Sequence, residues 1–258
     1  MLPELKVVAL VSIGQHIKSG RFQRADQDAR AVELGLKLRG VDLTVLHAGS
    51  ADEPVLRRYL GAGLKAITVL EQPAKADIVG PMCEYLNEQG AQIILAGTKA
   101  ECGEASGMIP YLVGERLGWP VVSRVADILS VANGEAEILQ ALPRGQRRLL
   151  KVRLPFVASV DNAADAPRQS AFGPGQRGHI HRVQAAVVAD ELSASWTQVP
   201  AKKRPKRLAV VKAKSAADRF KAATAKSQGA GGVVLQAEAP REQAQAIVDL
   251  LLEEGLIQ

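Results

Sequence analysis

Residues 5–46 read LKVVALVSIGQHIKSGRFQRADQDARAVELGLKLRGVDLTVL, and this stretch decides the fold. Leu5 to Val11 is apolar apart from Lys6, as a parallel strand buried on both faces requires. Asp26 to Arg39 has helical periodicity, with Ala31, Val32, Leu34, Leu36 and Leu38 as its apolar positions. Asp26 or Asp28 lies near its N-terminus and Gly40 stops it. Val41 to Leu46 is a second apolar strand. Strand, helix and strand in this order make a right-handed βαβ crossover.

The alternation continues outward. His47-Ala48-Gly49-Ser50 reads as a turn and about Asp52 to Leu60 as a short helix. Ala66 to Leu70 is a third strand, and Asp77 to Asn87 a helix that kinks or begins at Pro81. Ile93 to Ala96 is a fourth strand, Gly97 to Ser106 a loop, and Gly107 to Leu117 a helix. After Trp119-Pro120, Val121 to Leu129 and Glu137 to Leu142 flank the hairpin signal Asn133-Gly134. With Arg148 to Leu154 and Pro155 to Val160 they read as an antiparallel extension of the sheet. Asp161 to Pro205 shows no regularity, and the Gly and Pro of Phe172 to Gly178 mark a loop. Last come a strand (Leu208 to Val211), a basic helix (Ala216 to Lys226), a turn (Gly229 to Gly232), a strand (Val233 to Leu235) and a helix from Pro240 to Gly255. The expected fold is α/β, a doubly wound, Rossmann-like parallel sheet with an antiparallel extension and a long C-terminal arm. The expected division is an α/β core over 1–160, an irregular segment over 161–206 and a C-terminal extension over 207–258.

Composition narrows the function classes. Of 258 residues, 47% are hydrophobic, enough for a sizeable core. No apolar run approaches the length of a membrane span, and Met1 to Val11 lacks the basic start of a signal peptide. Two cysteines, Cys83 and Cys102, without a C-x-x-C, argue against a disulfide scaffold or structural zinc and fit a reducing cytoplasm. Aromatics at 3% argue against a base-stacking nucleic-acid platform. The net charge of +6 is uneven: ten Lys and Arg between Ala201 and Lys226 face only Asp218, and Arg144, Arg147, Arg148, Lys151 and Arg153 form a second cluster. Such clusters suit an acidic partner, or simply a well-solvated surface.

Familiar chemistry is missing. Ser12-Ile13-Gly14-Gln15-His16 is not G-x-G-x-x-G, and no G-x-x-x-x-G-K-[ST] exists. His16, His47, His179 and His181 show no metal-ligand spacing, and Ala105-Ser106-Gly107 is no nucleophile elbow. Cys102 at a strand-to-helix turn reads as a small residue in a tight bend. What remains is geometry, because open parallel sheets bind ligands outside the carboxyl ends of their strands. Four segments reach that edge. Their candidate nucleotide-contacting residues are Leu10 and Val11; Ala25, Asp26, Gln27 and Asp28; Ala48 and Gly49; and Lys99, Ala100, Glu101, Gly103, Glu104, Ala105, Ser106, Gly107 and Met108. The last segment is rich in small residues and opens into a helix, so its free N–H groups suit a phosphate.

At these residues the chain resembles the beta subunit of electron transfer flavoproteins. The resemblance runs in ordered pieces. Asp28-x-x-Ala31-Val32-Glu33 resembles the family's helix start, and Leu60 to Ala66 its L-x-x-G-A-D-[RK]-A turn. Ile94 to Ala100, Ser106-Gly107-Met108 with Pro110, and Leu117-Gly118-Trp119-Pro120 resemble its strand-G-x-x-A, T-G and L-G-W-P run. Leu149 to Pro155 resembles a strand ending in L-P, and Ala166-Pro167-Arg168 an E-P-R.

This resemblance implies a heterodimer. The alpha subunit would carry most of the FAD site, and the beta subunit would hold an AMP and help hold the FAD. A recognition loop would meet partner dehydrogenases, and the C-terminal segment would pack on alpha. Electrons would pass from a flavin dehydrogenase to the FAD and on to a membrane quinone oxidoreductase, with no catalytic residue in this chain. The departures are specific. Ala25-Asp26-Gln27-Asp28 stands for N-P-F-[DE], Ser12 for a basic residue, Glu101 and Glu104 for an Asp run, and Ala105-Ser106-Gly107 for Q-T-G. Gln169 to Gly175 replaces the recognition-loop core, which predicts a donor other than the common fatty-acid-linked dehydrogenases. Two other readings are a free-standing adenine-nucleotide-binding domain without flavin, and a nucleic-acid binder using the basic segment.

Overall fold

The structure, a computed structural model, describes residues 5–197, 199–201, 215–217 and 239–253. The elements in chain order are β1 (Leu5–Leu10), β2 (Ile13–Gln15), β3 (Phe22–Arg24), α1 (Asp26–Lys37), β4 (Val41–Gly49), α2 (Leu56–Leu60), β5 (Ala66–Glu71), α3 (Val79–Glu88), β6 (Ile93–Gly97) and α4 (Ile109–Leu117). There follow β7 (Val121–Ala132), β8 (Glu135–Ala141), β9 (Arg147–Arg153), β10 (Phe156–Val160), α5 (Phe172–Arg177), β11 (His179–Gln184), α6 (Glu191–Ser195) and α7 (Pro240–Glu253). The chain divides into two units, residues 1–198 and 199–258. The first holds the nine-stranded sheet; α7 belongs to the second.

The sheet order is β11-β5-β4-β1-β6-β10-β7-β8-β9. All pairs from β11 to β7 are parallel, and β7-β8 and β8-β9 are antiparallel. The apolar continuity of β1 has a direct cause. Successive side chains point to opposite faces. Val7 and Ala9 pack with Val32, Leu95, Phe156 and Tyr59 on one face, and Val8 and Leu10 with Met82, Leu86, Ile94 and Val113 on the other. Both faces are covered from Val7 to Leu10, so no position there is free to be polar, while Lys6 lies in the exposed start of the strand. The doubly wound α/β reading from sequence therefore holds.

Several expectations need correction. β10 is not part of the antiparallel extension; it lies between β6 and β7, parallel to both, with all five residues buried. Its five-residue apolar run is that of a central strand. His47-Ala48-Gly49 is not a turn, because Leu46–Gly49 continue β4 by pairing with Thr68–Glu71. α2 begins only at Leu56, after turns around Pro54. Pro81 neither kinks nor starts α3; it lies in the first turn, where its missing N–H is not needed. Three parts of the irregular segment are regular: Phe172–Arg177 is the short helix α5, His179–Gln184 is the parallel strand β11 on β5, and Glu191–Ser195 is the short helix α6. The hairpin signal holds, with Asn133 and Gly134 both left-handed at φ 52° and 77°. The strands read at Leu208 to Val211 and Val233 to Leu235, most of the basic helix and the Gly229 to Gly232 turn lie outside the described residues. α7 starts at Pro240, as its sequence requires.

Candidate functional site

After β1 the chain crosses to β4 on one side, and β6 lies on the other. The carboxyl ends of β1 and β6 thus form the switch point of the sheet. One carboxylate joins them. Asp28 Oδ2 accepts from the Ser12 amide at 2.8 Å and from the Ser12 hydroxyl at 2.5 Å. Its Oδ1 accepts from the Gly97 amide at 3.0 Å. A Cβ on Gly97 would overlap Asp28 Oδ1, so glycine is what allows the approach. Asp28 is buried, and that desolvation raises its pKa to about 6 against the pull of the Ser12 and Gly97 donors. Asp26 and Asp28 both lie in the first turn of α1, near its N-terminus as the sequence reading has them. Ala25 is the N-cap and gives no side-chain bond, while Asp28 turns away to the strand ends.

Tyr59 locks the same corner. Its hydroxyl donates to Ser12 O at 2.8 Å and accepts from the Ala25 amide at 3.0 Å. Burial pushes this phenol well above its ordinary range, so it stays protonated. Gln27 holds the next segment: Oε1 accepts from the Lys99 amide at 3.1 Å and from the Thr98 hydroxyl, and Nε2 donates to Asn162 Oδ1 at 2.9 Å. Glu101 reaches back from the loop. Its Oε1 accepts from the Asp26 amide, the first of α1, at 2.8 Å. Gly14 makes room for it, since a Cβ there would lie 2.6 Å from Glu101 Oε2.

Beside β1, His47 Nδ1 donates to Val11 O at 2.8 Å, and burial lowers its pKa, which keeps the ring neutral. Gly49 (φ 151°) follows because a Cβ would approach His47 Nε2 to 2.8 Å. The 98–108 segment doubles back through the left-handed residues Gly103, Ala105 and Gly107, at φ 72°, 50° and 76°. Gly107 packs directly on Thr98 O. Ser106 Oγ accepts only from the Met108 amide, at 3.4 Å. Cys102 is held above its ordinary pKa by burial and by Glu101, which keeps it a thiol.

The structure thus brings Leu10, Val11, Ala25 to Asp28, Lys99 and Glu101 to one corner. Ala48 and Gly49 lie one strand further out, and Gly103 to Met108 form the outer bend. Reading the sequence alone missed Tyr59 as a site residue and took Ser12 only as a departure. Tyr59 carries a usable signal, a phenol in an aromatic-poor chain beside Leu60 and ahead of a Gly-rich turn. Whether an adenine nucleotide fits is testable on the structure. Lys99 is exposed, with no hydrogen bond or ion pair for its amine among the described residues. A free cation and a bend with left-handed glycines fit a phosphorylated ligand. Ser159 Oγ is also buried without a hydrogen-bond partner, but it shares the face of Ala96 and Val157, on the side of the sheet away from α1. Among the described residues no cluster of three or more metal-ligating side chains exists, and no helix is long and apolar enough to cross a membrane.

Comparison with known proteins decides the family. The pattern of the electron transfer flavoprotein domain matches residues 16–188. The electron transfer flavoprotein subunit beta of Chromohalobacter salexigens is 49% identical over 260 residues, covering 100% of this chain and 97% of that one. This chain belongs to the electron transfer flavoprotein beta subunits. A more distant chain of Escherichia coli, YgcR, assigned to electron transfer flavoprotein subunits, is 24% identical over 181 residues, 66% of each chain. The family implies an electron carrier that pairs with an alpha subunit, and within that frame the Asp28 corner is the switch point of a carrier subunit.

Proposed function

We propose that this chain is the beta subunit of a heterodimeric electron transfer flavoprotein that holds an AMP at the Asp28 corner and helps hold an FAD shared with the alpha subunit. The observation that carries the reading is identity at 49% along the whole chain, set against a switch-point corner that joins β1, α1 and β6 through Asp28. The amides of the 98–108 bend and Lys99 would meet the phosphate. The flavin supplies the electron carriage. The chain's own residues bind, orient and exclude water, and none is needed as a general acid or base.

The second unit offers a docking face for alpha. Within α7, Ile247, Val248, Leu250 and Leu252 are exposed and no residue is buried. Such a face is expected where a helix is finished by a partner. The donor is proposed to dock on the 161–206 segment. Phe172 is 82% exposed there, yet it stands on a fixed base. The Ala171 amide donates to Gly61 O at 2.9 Å, and Arg57 Nη1 donates to Gly178 O at 2.7 Å. Because Gln169 to Gly175 differ from the family's recognition core, the donor is a flavin dehydrogenase outside the common fatty-acid-linked group, and the acceptor is a membrane quinone oxidoreductase. A cytoplasmic setting is part of this proposal, and two free cysteines, Cys83 and Cys102, suit a reducing compartment.

Co-expression with an alpha-type chain tests this. The expected product is a yellow heterodimer that releases one FAD and one AMP on acid extraction. A colourless homodimer that keeps a nucleotide favours the free-standing nucleotide-binding reading and overturns this one.

A further inference from the structure

His47 carries an acceptor that the fold leaves open. It ends the buried run of β4, with 6% of its surface exposed. A carbonyl only accepts, so the bond to Val11 O at 2.8 Å places the ring proton on Nδ1 and a lone pair on Nε2. That bond fixes the tautomer. Among the described residues no donor reaches Nε2. Nor is the atom sealed in: the buried side-chain atoms without a partner there are Gln72 Oε1 and Ser159 Oγ alone. Gly49 keeps the approach clear, because a Cβ would stand 2.8 Å from Nε2. At φ 151° that position also excludes most side chains.

We propose that His47 Nε2 reads the base of the bound nucleotide, accepting a hydrogen bond from the exocyclic amino group of adenine and turning away purines that carry a carbonyl at that position. The inference rests on the AMP reading of the corner and names how that site chooses its base. Strand order supplies the placement. β4 and β6 flank β1, so two strand spacings, about 9–10 Å, lie between them. That matches the reach of a mononucleotide from phosphate to base. With its phosphate on the 98–108 bend after β6, the base comes over the ends of β1 and β4, at His47, Ala48 and Gly49. The imidazole is braced there: its partner Val11 precedes Ser12, which Asp28 and Tyr59 hold. An amine meets the Nε2 lone pair with a proton. The carbonyl of hypoxanthine or guanine meets it with a second lone pair, and the ring cannot change tautomer without giving up Val11 O.

The test uses the assembled heterodimer stripped of nucleotide, with AMP and IMP as probes in calorimetry. Two variants separate the ring nitrogens. His47→Asn keeps a donor for Val11 O and leaves nothing at the place of Nε2, whereas His47→Gln puts an amide oxygen near that place and gives up the bond to Val11. Wild type is expected to bind AMP more tightly than IMP. In His47→Asn that preference falls about five- to tenfold, the factor one hydrogen bond commands, while His47→Gln retains most of it. Nitrogen NMR of the wild-type complex needs no variant to fold: one neutral histidine nitrogen moves upfield when AMP is added and stays in place with IMP. An unchanged preference in His47→Asn, an equal fall in both variants, or no histidine signal that tells AMP from IMP overturns the inference and leaves the AMP reading standing. AMP binding by none of the three proteins overturns both.

Discussion

Substituting Tyr59→Phe tests the corner most directly. The change removes one oxygen and leaves the ring's volume, so no cavity contribution enters. Tyr59 is fully buried, and its hydroxyl serves two backbone groups at once. The Ala25 amide, on a residue 1% exposed, loses its acceptor. Ser12 O loses a donor but is half-exposed and regains part of the loss from water. A buried group left without a partner costs about 1–3 kcal/mol, so the two together are worth about 2–4 kcal/mol. In a unit of this size that lowers the melting midpoint by roughly 4–16 °C. Thermal and urea unfolding of the assembled complex reads the total. Hydrogen-exchange mass spectrometry of residues 22–29 reads the place, with exchange at the Ala25 amide expected to rise by about thirtyfold or more, the equivalent of about 2 kcal/mol. A loss under about 0.5 kcal/mol with unchanged exchange at that amide would refute the reasoning.

Other consequences are equally concrete. Asp28 has a folded-state pKa of about 6 against an ordinary 3.8, so the folded chain holds this proton more tightly than the unfolded one. Its favourable contribution is complete below about pH 4 and is lost as pH rises through 6. In Asp28→Asn the titration is gone. The stability of wild type relative to the variant is expected to fall by about 2–3 kcal/mol between pH 4 and 7, read by urea unfolding, and a pH-independent difference would contradict it. Gly97→Ala forces a methyl group onto Asp28 and the start of α1, and is expected to destabilise by about 1–3 kcal/mol, with unchanged stability as the contrary result. Phe172→Ala is expected to slow electron transfer from the donor about tenfold or more, as loss of an exposed aromatic anchor does, while flavin content and heterodimer mass stay unchanged. Equal rates would remove Phe172 from the docking surface.

How much of this was legible in the sequence differs between the fold and the site. β1, α1, β5 and β6 were readable because burial on both faces or along one stripe leaves an unmistakable apolar pattern. β10 was misplaced because a five-residue apolar run after an antiparallel hairpin carries no mark of the direction of its neighbours, which only tertiary pairing with β6 and β7 sets. β11 was lost for a similar reason: as an edge strand bearing His179, His181 and Arg182, it shows its polar side to solvent and lacks a core signature. At the site, the segments were visible from topology alone, because switch points follow from strand order. The roles of single residues were not. Asp28 read only as an acid near the helix start and a candidate ligand contact, since sequence spacing cannot show that its carboxylate turns back to Ser12 and Gly97, 16 and 69 residues away. Tyr59 went unnoticed because the partners of its hydroxyl are backbone atoms, which leave no trace in residue types.

The rim of the sheet has one more consequence. β9 is the last strand in the order, and no neighbour covers its far side among the described residues. It carries Arg147, Arg148, Lys151 and Arg153; among the described residues only the last two meet acids, Glu137 and Glu135 on β8. An open strand is a template for fibril growth, and a row of cations along it makes two such rims repel. Low salt should therefore keep particles monodisperse even at high protein concentration, whereas screening ions would erode that safeguard against edge-to-edge polymerisation.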